Sequence, residues 1–256
     1  MSKFVDRLQS LSRSSATPIG FRSFVSELKS PPMLLVAEMS GTQIKEARIA
    51  ADFNADAGLV LSEDTGAHVL RQIVESMGSV PLGVLVKGMD EKEVDELAGF
   101  GCDFVVFDIK GAAGILSRKE VGRFLMIEPS LDQGLVRAIN NLDVDGVFVS
   151  KGGSSFVAVE HLLVCRRLVE LLEKPIIMTL PSLSKKEELT SLWQVGVDGV
   201  VAPRGWSPEG LAELKEMIGS LPRGRRGRRG RASVQLPHYD GGAVGEEDEQ
   251  EEKLQP

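Results

Sequence analysis

Short apolar runs rich in β-branched residues recur along the chain, and each is followed by a polar turn and a stretch of helical periodicity. Four of the runs open on a common motif: Asn54-Ala-Asp56-Ala-Gly-Leu-Val, Gly101-Cys-Asp103-Phe-Val-Val, Val144-Asp145-Gly-Val-Phe-Val and Val197-Asp198-Gly-Val-Val. Their aspartates lie 47, 42 and 53 residues apart. Each copy reads as a helix end, a tight turn and a buried parallel strand. Between them lie Met33-Leu-Leu-Val-Ala, Val80-Pro-Leu-Gly-Val-Leu-Val, Phe124-Leu-Met-Ile and Pro175-Ile-Ile-Met, which supply the odd-numbered strands.

Helix-start spacings follow most strands, at Ser40–Gln43, Asp90–Glu93, Ser117–Glu120, Ser130–Gln133 and Ser184–Glu187. Eight near-equal strand–helix units with no long excursion favour closure into a single (β/α)8 TIM barrel, class α/β, over residues 31–222. Residues 1–30 form an N-terminal extension with two short helices expected over 3–13 and 20–29. Residues 223–256 are a low-complexity tail, Arg/Gly-rich over 223–231 and acidic over 246–252, with the composition of a disordered segment.

Composition narrows the function only by exclusion. A chain of 256 residues with 42% hydrophobic content suits one large core. The two cysteines, Cys102 and Cys165, have neither metal-ligand nor CxxC spacing, so no disulfide framework or zinc site is expected, and a reducing cytoplasm fits best. No signal core and no run of 18 apolar residues is present, so no membrane association is expected. Basic and acidic residues of the tail cancel, which puts the whole formal charge of −7 on residues 1–222. An acidic barrel is a poor partner for nucleic acid, which leaves only weak contact through the Arg/Gly run.

Catalysis in such a barrel sits at the C-terminal ends of the strands. Those ends carry Glu38, Glu63 and Asp64, Lys87, Asp108 and Lys110, Glu128, Lys151, Thr179 and Ser182, and Arg204 in turn. Lysines converging with carboxylates serve acid–base or Schiff-base chemistry, or else pair off as an inert salt-bridge ring. Lys87 and Glu128 directly follow apolar strands and are the acid–base candidates. Asp108 and Lys110, two residues apart, fall on the same face of strand four, so Asp108 is expected to hold Lys110. Lys151, followed by Gly152 and Gly153, offers an amine and close backbone approach for an anion. Arg204 and Gly205, with Ser207 as N-cap and Pro208 at the first helical position, offer a second anion site beside Ser182. His68 and His161 fall in helices and His238 in the tail, so neither a histidine triad nor a metal site is expected, and no nucleotide fingerprint follows a strand.

The stretch from Phe21 to Glu38, the Lys87 strand and Phe124–Glu128 together resemble indole-3-glycerol phosphate synthase and the wider ribulose-phosphate-binding barrels. The resemblance spans roughly residues 20–210. It implies Glu38 as the first-strand glutamate, Lys87 as general acid and Glu128 as the fifth-strand carboxylate. Ser40 stands where the family has a first-strand lysine, Ser150-Lys151 where it has an asparagine region, and proline-containing turns replace its glycine-rich phosphate loops.

The expectation is therefore a lyase, isomerase or aldolase acting on a small anionic, phosphorylated sugar-like or carbonyl substrate, without cofactor or metal. An imine on Lys151 is the aldolase variant. The alternative is a barrel without turnover that binds a metabolite or a partner protein, with its charged tail as the contact.

Overall fold

The structure, a computed structural model, describes residues 2–14, 31–88, 91–150, 155–182 and 184–222. Helix α1 (Lys3–Ser14) precedes eight parallel strands: β1 (Leu34–Glu38), β2 (Ala57–Leu61), β3 (Leu82–Val86), β4 (Phe104–Phe107), β5 (Gly122–Ile127), β6 (Gly146–Val149), β7 (Ile176–Thr179) and β8 (Gly199–Ala202). They hydrogen-bond in chain order and close through β1 and β8, so the barrel expected from the alternation is the one observed. The second N-terminal helix expected over 20–29 and the tail from 223 lie outside the described residues.

Residues alternate strictly between two cores. One lies between strands and helices; the other is the barrel interior, lined by Leu34, Val36, Ala57, Leu59, Phe104, Val106, Phe124, Phe148, Ile177 and Val201. At its N-terminal end the interior is aromatic. Phe104, Phe124 and Phe148 contact edge to face or stacked, and Gly83 makes room, since a Cβ there would lie 2.1 Å from the Phe104 ring. The remaining space is filled by Phe4 of α1, fully buried, with its ring 4.5 Å from Phe104 and 5.4 Å from Phe124. Helix α1 therefore plugs the bottom of the barrel, away from the mouth.

The contacts of the repeated aspartates explain why the motif recurs. Asp56, Asp145 and Asp198 each donate a backbone N–H to the carbonyl of a residue on the preceding strand, and their carboxylates accept the N–H of that same residue: Leu35 (2.8 Å), Arg123 (2.8 Å) and Ile176 (2.9 Å). Each is a two-point clamp that fixes register where an odd strand meets the following even one. Asp103 keeps the backbone half, its N–H donating to Leu82 O at 2.8 Å. Its carboxylate turns instead to the start of α1, accepting from Ser2 Oγ (2.6 Å), Lys3 N (2.8 Å) and Phe4 N (3.0 Å), a helix cap supplied from about a hundred residues away.

Seven of the eight strands are followed by the expected α-helix: α2 (Ile44–Asp52), α3 (Ala67–Met77), α4 (Glu91–Gly99), α5 (Gln133–Ala138), α6 (Val159–Leu171), α7 (Lys186–Val195) and α8 (Pro208–Gly219). Between β4 and β5 only a 3₁₀ turn forms, Ala113–Ser117, because the glycine-bearing segment Gly111–Glu120 is too short for a helix to cross back. Ser117 consequently caps nothing; its hydroxyl donates to Gly114 O. The starts read from Ser40, Ser130 and Ser184 are displaced by one to three residues, whereas α4 begins at Glu91, directly after Asp90, which lies outside the described residues. Gln43, Asp132 and Lys185 hold the N-cap positions that the spacing assigns to Ser40, Ser130 and Ser184, and only Asp132 caps with its side chain, accepting from Gly134 N at 2.7 Å. Ser207 and Pro208 start α8 as the sequence indicates, Ser207 Oγ accepting from Gly210 N at 3.0 Å.

Candidate functional site

Extending the inward alternation by one step past the last interior residue of each strand gives the mouth. From Val36 it reaches Glu38, from Leu59 Leu61, from Leu85 Lys87, from Val106 Asp108, and from Met126 Glu128. On the last three strands it reaches Ser150, Thr179 and Pro203. Several strands thus change from apolar to polar inward residues at the same level, and a dry aromatic interior lies directly beneath them.

The described part of the mouth divides in two. Across the seam where β1 meets β8 lies a cleft of about 620 Å³ lined by Glu38, Leu61, Pro181, Ser182, Pro203, Arg204, Gly205 and Trp206. The Glu38 carboxylate is largely shielded and stands 3.5 Å from Arg204 Nε. Trp206 Nε1 donates to the Glu38 carbonyl at 2.8 Å, which ties the β8–α8 loop to the end of β1 by a second contact. Gly205 takes a left-handed φ of 86° between them, the turn that lets both neighbours reach back to one residue. Arg204 and Trp206 are therefore both tethers on Glu38.

On the other side stand the acid–base candidates. Lys87 and Asp108 are at matching levels on neighbouring strands, because Val86 pairs with Phe107. The carboxylate that meets Lys87 is Glu63, at 3.8 Å, and both side chains are about 60% exposed. Glu128 is exposed at the end of β5. Asp108 and Lys110 do not share a strand face: β4 ends at Phe107, and Asp108 Oδ1 accepts the backbone N–H of Lys110 at 2.8 Å in a turn. What Asp108 holds is the Lys110 main chain, so the expectation of a strand-borne pair is corrected. The structure thus brings Glu38, Ser182, Arg204 and Gly205 into one cleft, sets Lys87 beside Glu63, and leaves Glu128 and Lys110 exposed at the rim. Lys151, Gly152 and Gly153 lie outside the described residues.

Leu61, Pro181 and Pro203 line the cleft although their chemistry does not single them out; the inward alternation is the signal that finds Leu61 and Pro203. Arg123 also escapes a reading of the sequence. It is 94% buried at the start of β5, its guanidinium held by Asp143 (3.0 Å), by Asp145 and by Leu116 O. It lies at the closed end of the barrel, where it is structural. Of the histidines, His161 is buried in α6 with Nδ1 accepting from Ala158 N, and His68 is exposed on α3. Among the described residues no three His, Cys, Asp or Glu side chains group as a metal site, and no helix is long and apolar enough to cross a membrane.

No protein-family model matches the chain, and no curated protein matches it by sequence. Solved structures do. A protein from Aquifex aeolicus VF5 superposes with a TM-score of 0.61 at 13% identity, over 86% of this chain and 98% of that one. Tryptophan synthase from M. tuberculosis gives 0.58 at 13% identity over 86% and 97%. A mutant tryptophan synthase alpha-subunit from Pyrococcus furiosus gives 0.55 at 14% identity over 73% and 96%. At such identities the likeness is one of fold. It agrees with the (β/α)8 barrel expected from the sequence and does not single out indole-3-glycerol phosphate synthase.

Proposed function

We propose that the barrel is an enzyme that takes a small anionic substrate, sugar-like or carbonyl-bearing and phosphorylated, and acts on it by lyase, isomerase or aldolase acid–base chemistry. The observation that carries this reading is the coincident change from apolar to ionisable inward residues at Glu38, Lys87, Asp108 and Glu128 over a closed, dry interior. Arg204 receives the anion in the cleft, with Ser182 and the Gly205 backbone beside it. Lys87 donates the proton, and Glu38 or Glu128 accepts one. Lys110, Lys151, Gly152 and Gly153 orient the rest of the anion. The resemblance to indole-3-glycerol phosphate synthase supports the same three residues, Glu38, Lys87 and Glu128.

A second reading, a barrel that binds a metabolite or a partner protein without turnover, is favoured by one observation. Glu38 and Arg204 already satisfy each other at 3.5 Å, which is how a rim behaves when its charges are structural. Thermal stabilisation by phosphorylated sugars, keto acids and inorganic phosphate separates the possibilities. A shift with one phosphosugar that disappears in Arg204→Ala, with turnover abolished in Lys87→Ala, is the expected result. A shift that survives Arg204→Ala removes the assigned anion site. A shift without turnover selects a metabolite-binding barrel, and no shift with any anion overturns the enzyme reading in favour of a barrel that binds a partner protein.

A further inference from the structure

Helix α6 is apolar on two opposite sides. One side, formed by His161, Cys165, Leu168 and Val169, packs onto the barrel. The other carries Val159 and Leu163, one helical turn apart and 71% and 67% exposed, with Phe156 at 59% just before the helix. The neighbouring helix α5, which packs against α6, adds Leu135 at 56%. A surface helix needs one apolar stripe to hold it to its domain, so a second stripe on the solvent side indicates contact with another molecule.

We infer that this face is the contact between two copies of the chain, with α6 packed antiparallel against α6 about a two-fold axis through Leu163. Such an axis makes any surface meet itself, so it suits only a face that is self-complementary. This one is. Leu163 lies on the axis and meets Leu163 of the other copy. Glu160 and Arg167 lie on the same flank of Leu163, three positions before it and four after, so across the two-fold each Glu160 comes beside Arg167 of the other copy. Arg167 donates through Nη2 to Pro129 O at 2.6 Å and retains further guanidinium donors for a carboxylate. A parallel arrangement would instead set Glu160 against Glu160. The 13 residues of α6 span about 20 Å, well short of a large obligate interface, so the dimer is a weak one, with dissociation on the order of micromolar.

Sedimentation velocity on the full chain over a micromolar-to-millimolar series tests this. The wild type should shift from monomer to dimer with concentration, and Leu163→Glu should stay monomeric throughout. Glu160→Arg, which sets like charges together, should weaken association at least tenfold. Ile109→Glu replaces another exposed apolar residue, 61% accessible just past the end of β4, and should leave the dimer intact. These positions are exposed, and far-ultraviolet circular dichroism of each variant confirms folding. A wild type that remains monomeric overturns the inference, as does a dimer that survives Leu163→Glu or one that Ile109→Glu dissolves equally well.

Discussion

Replacing Phe4 by alanine tests whether α1 is part of the barrel or an ornament on it. The ring is fully buried among Phe104, Phe124 and the ends of the inward residues, and it is contributed by an element outside the eight units. Truncating a buried phenylalanine costs about 3–5 kcal/mol, the upper part of that range where aromatic pairing is lost with it. For a domain of this size that corresponds to a fall in Tm of about 6–20 °C. Urea unfolding of Phe4→Ala measures the loss, and hydrogen exchange at the α1 amides reports where it arises. Those amides should lose protection well before the barrel amides, because Asp103 then holds a helix without its anchor. A loss below about 1 kcal/mol with α1 still protected would refute the account, since the space between Phe104 and Phe124 would have been filled without Phe4.

Asp198→Ala should destabilise by about 1–3 kcal/mol, because the buried N–H of Ile176 loses its acceptor; faster exchange at that amide checks it. The Arg123 guanidinium, by hydrogen bond and then by charge, holds the Asp143 carboxyl below the usual carboxylate range. The unfolded state therefore binds that proton at higher pH than the folded state does. The stability this gives is complete above the ordinary aspartate value of about 3.9 and is lost as pH falls through the lowered one. Asp143→Asn should accordingly flatten the acid limb of the stability profile, and an unchanged limb contradicts the pairing. Burial pushes the thiols of Cys102, where Asp103 adds to the effect, and Cys165 up to about 12. At pH 8 each is thiolate to roughly one part in ten thousand, so Ellman's reagent should find no reactive thiol until the chain unfolds.

The strands and their closure were legible because parallel barrel strands are buried on both faces, so each reads as a continuous apolar run whatever surrounds it. The mouth was legible for a related reason. Glu38, Lys87, Asp108 and Glu128 each stand where an apolar run stops, and parity alone turns them inward. What escaped were properties of distance. That Asp56, Asp145 and Asp198 grip the preceding strand depends on residues some twenty positions upstream, and that Asp103 caps α1 depends on residues about a hundred positions away. Serines with capping-box spacing were misleading at Ser40, Ser117, Ser130 and Ser184, since a good local cap yields where the connection sets the helix start elsewhere. The pairing of Lys87 with Glu63 rather than Glu128 followed from strand order, which brings the end of β2 beside β3.

The aspartate contacts divide the barrel into quarters, each an odd strand bound to the next even one, by a full clamp in three of them and by its main-chain half alone between β3 and β4. Between quarters the first ladder contacts are main chain alone: Gly58 N to Pro81 O, Gly122 N to Asp103 O, Val147 N to Pro175 O and Leu34 N to Asp198 O. A molecule joined in this way has a natural dividing line. It runs through the helix-poor connection Gly111–Glu120, with two quarters on either side. Polypeptides ending and beginning in that connection should therefore find each other and restore one barrel when mixed. Cuts placed within a quarter, between β5 and β6 for instance, should yield pieces that do not. Recovery of native circular dichroism by the first pair and not by the second would mark the clamped pair of strands, rather than the single strand–helix unit, as the piece from which this barrel is assembled.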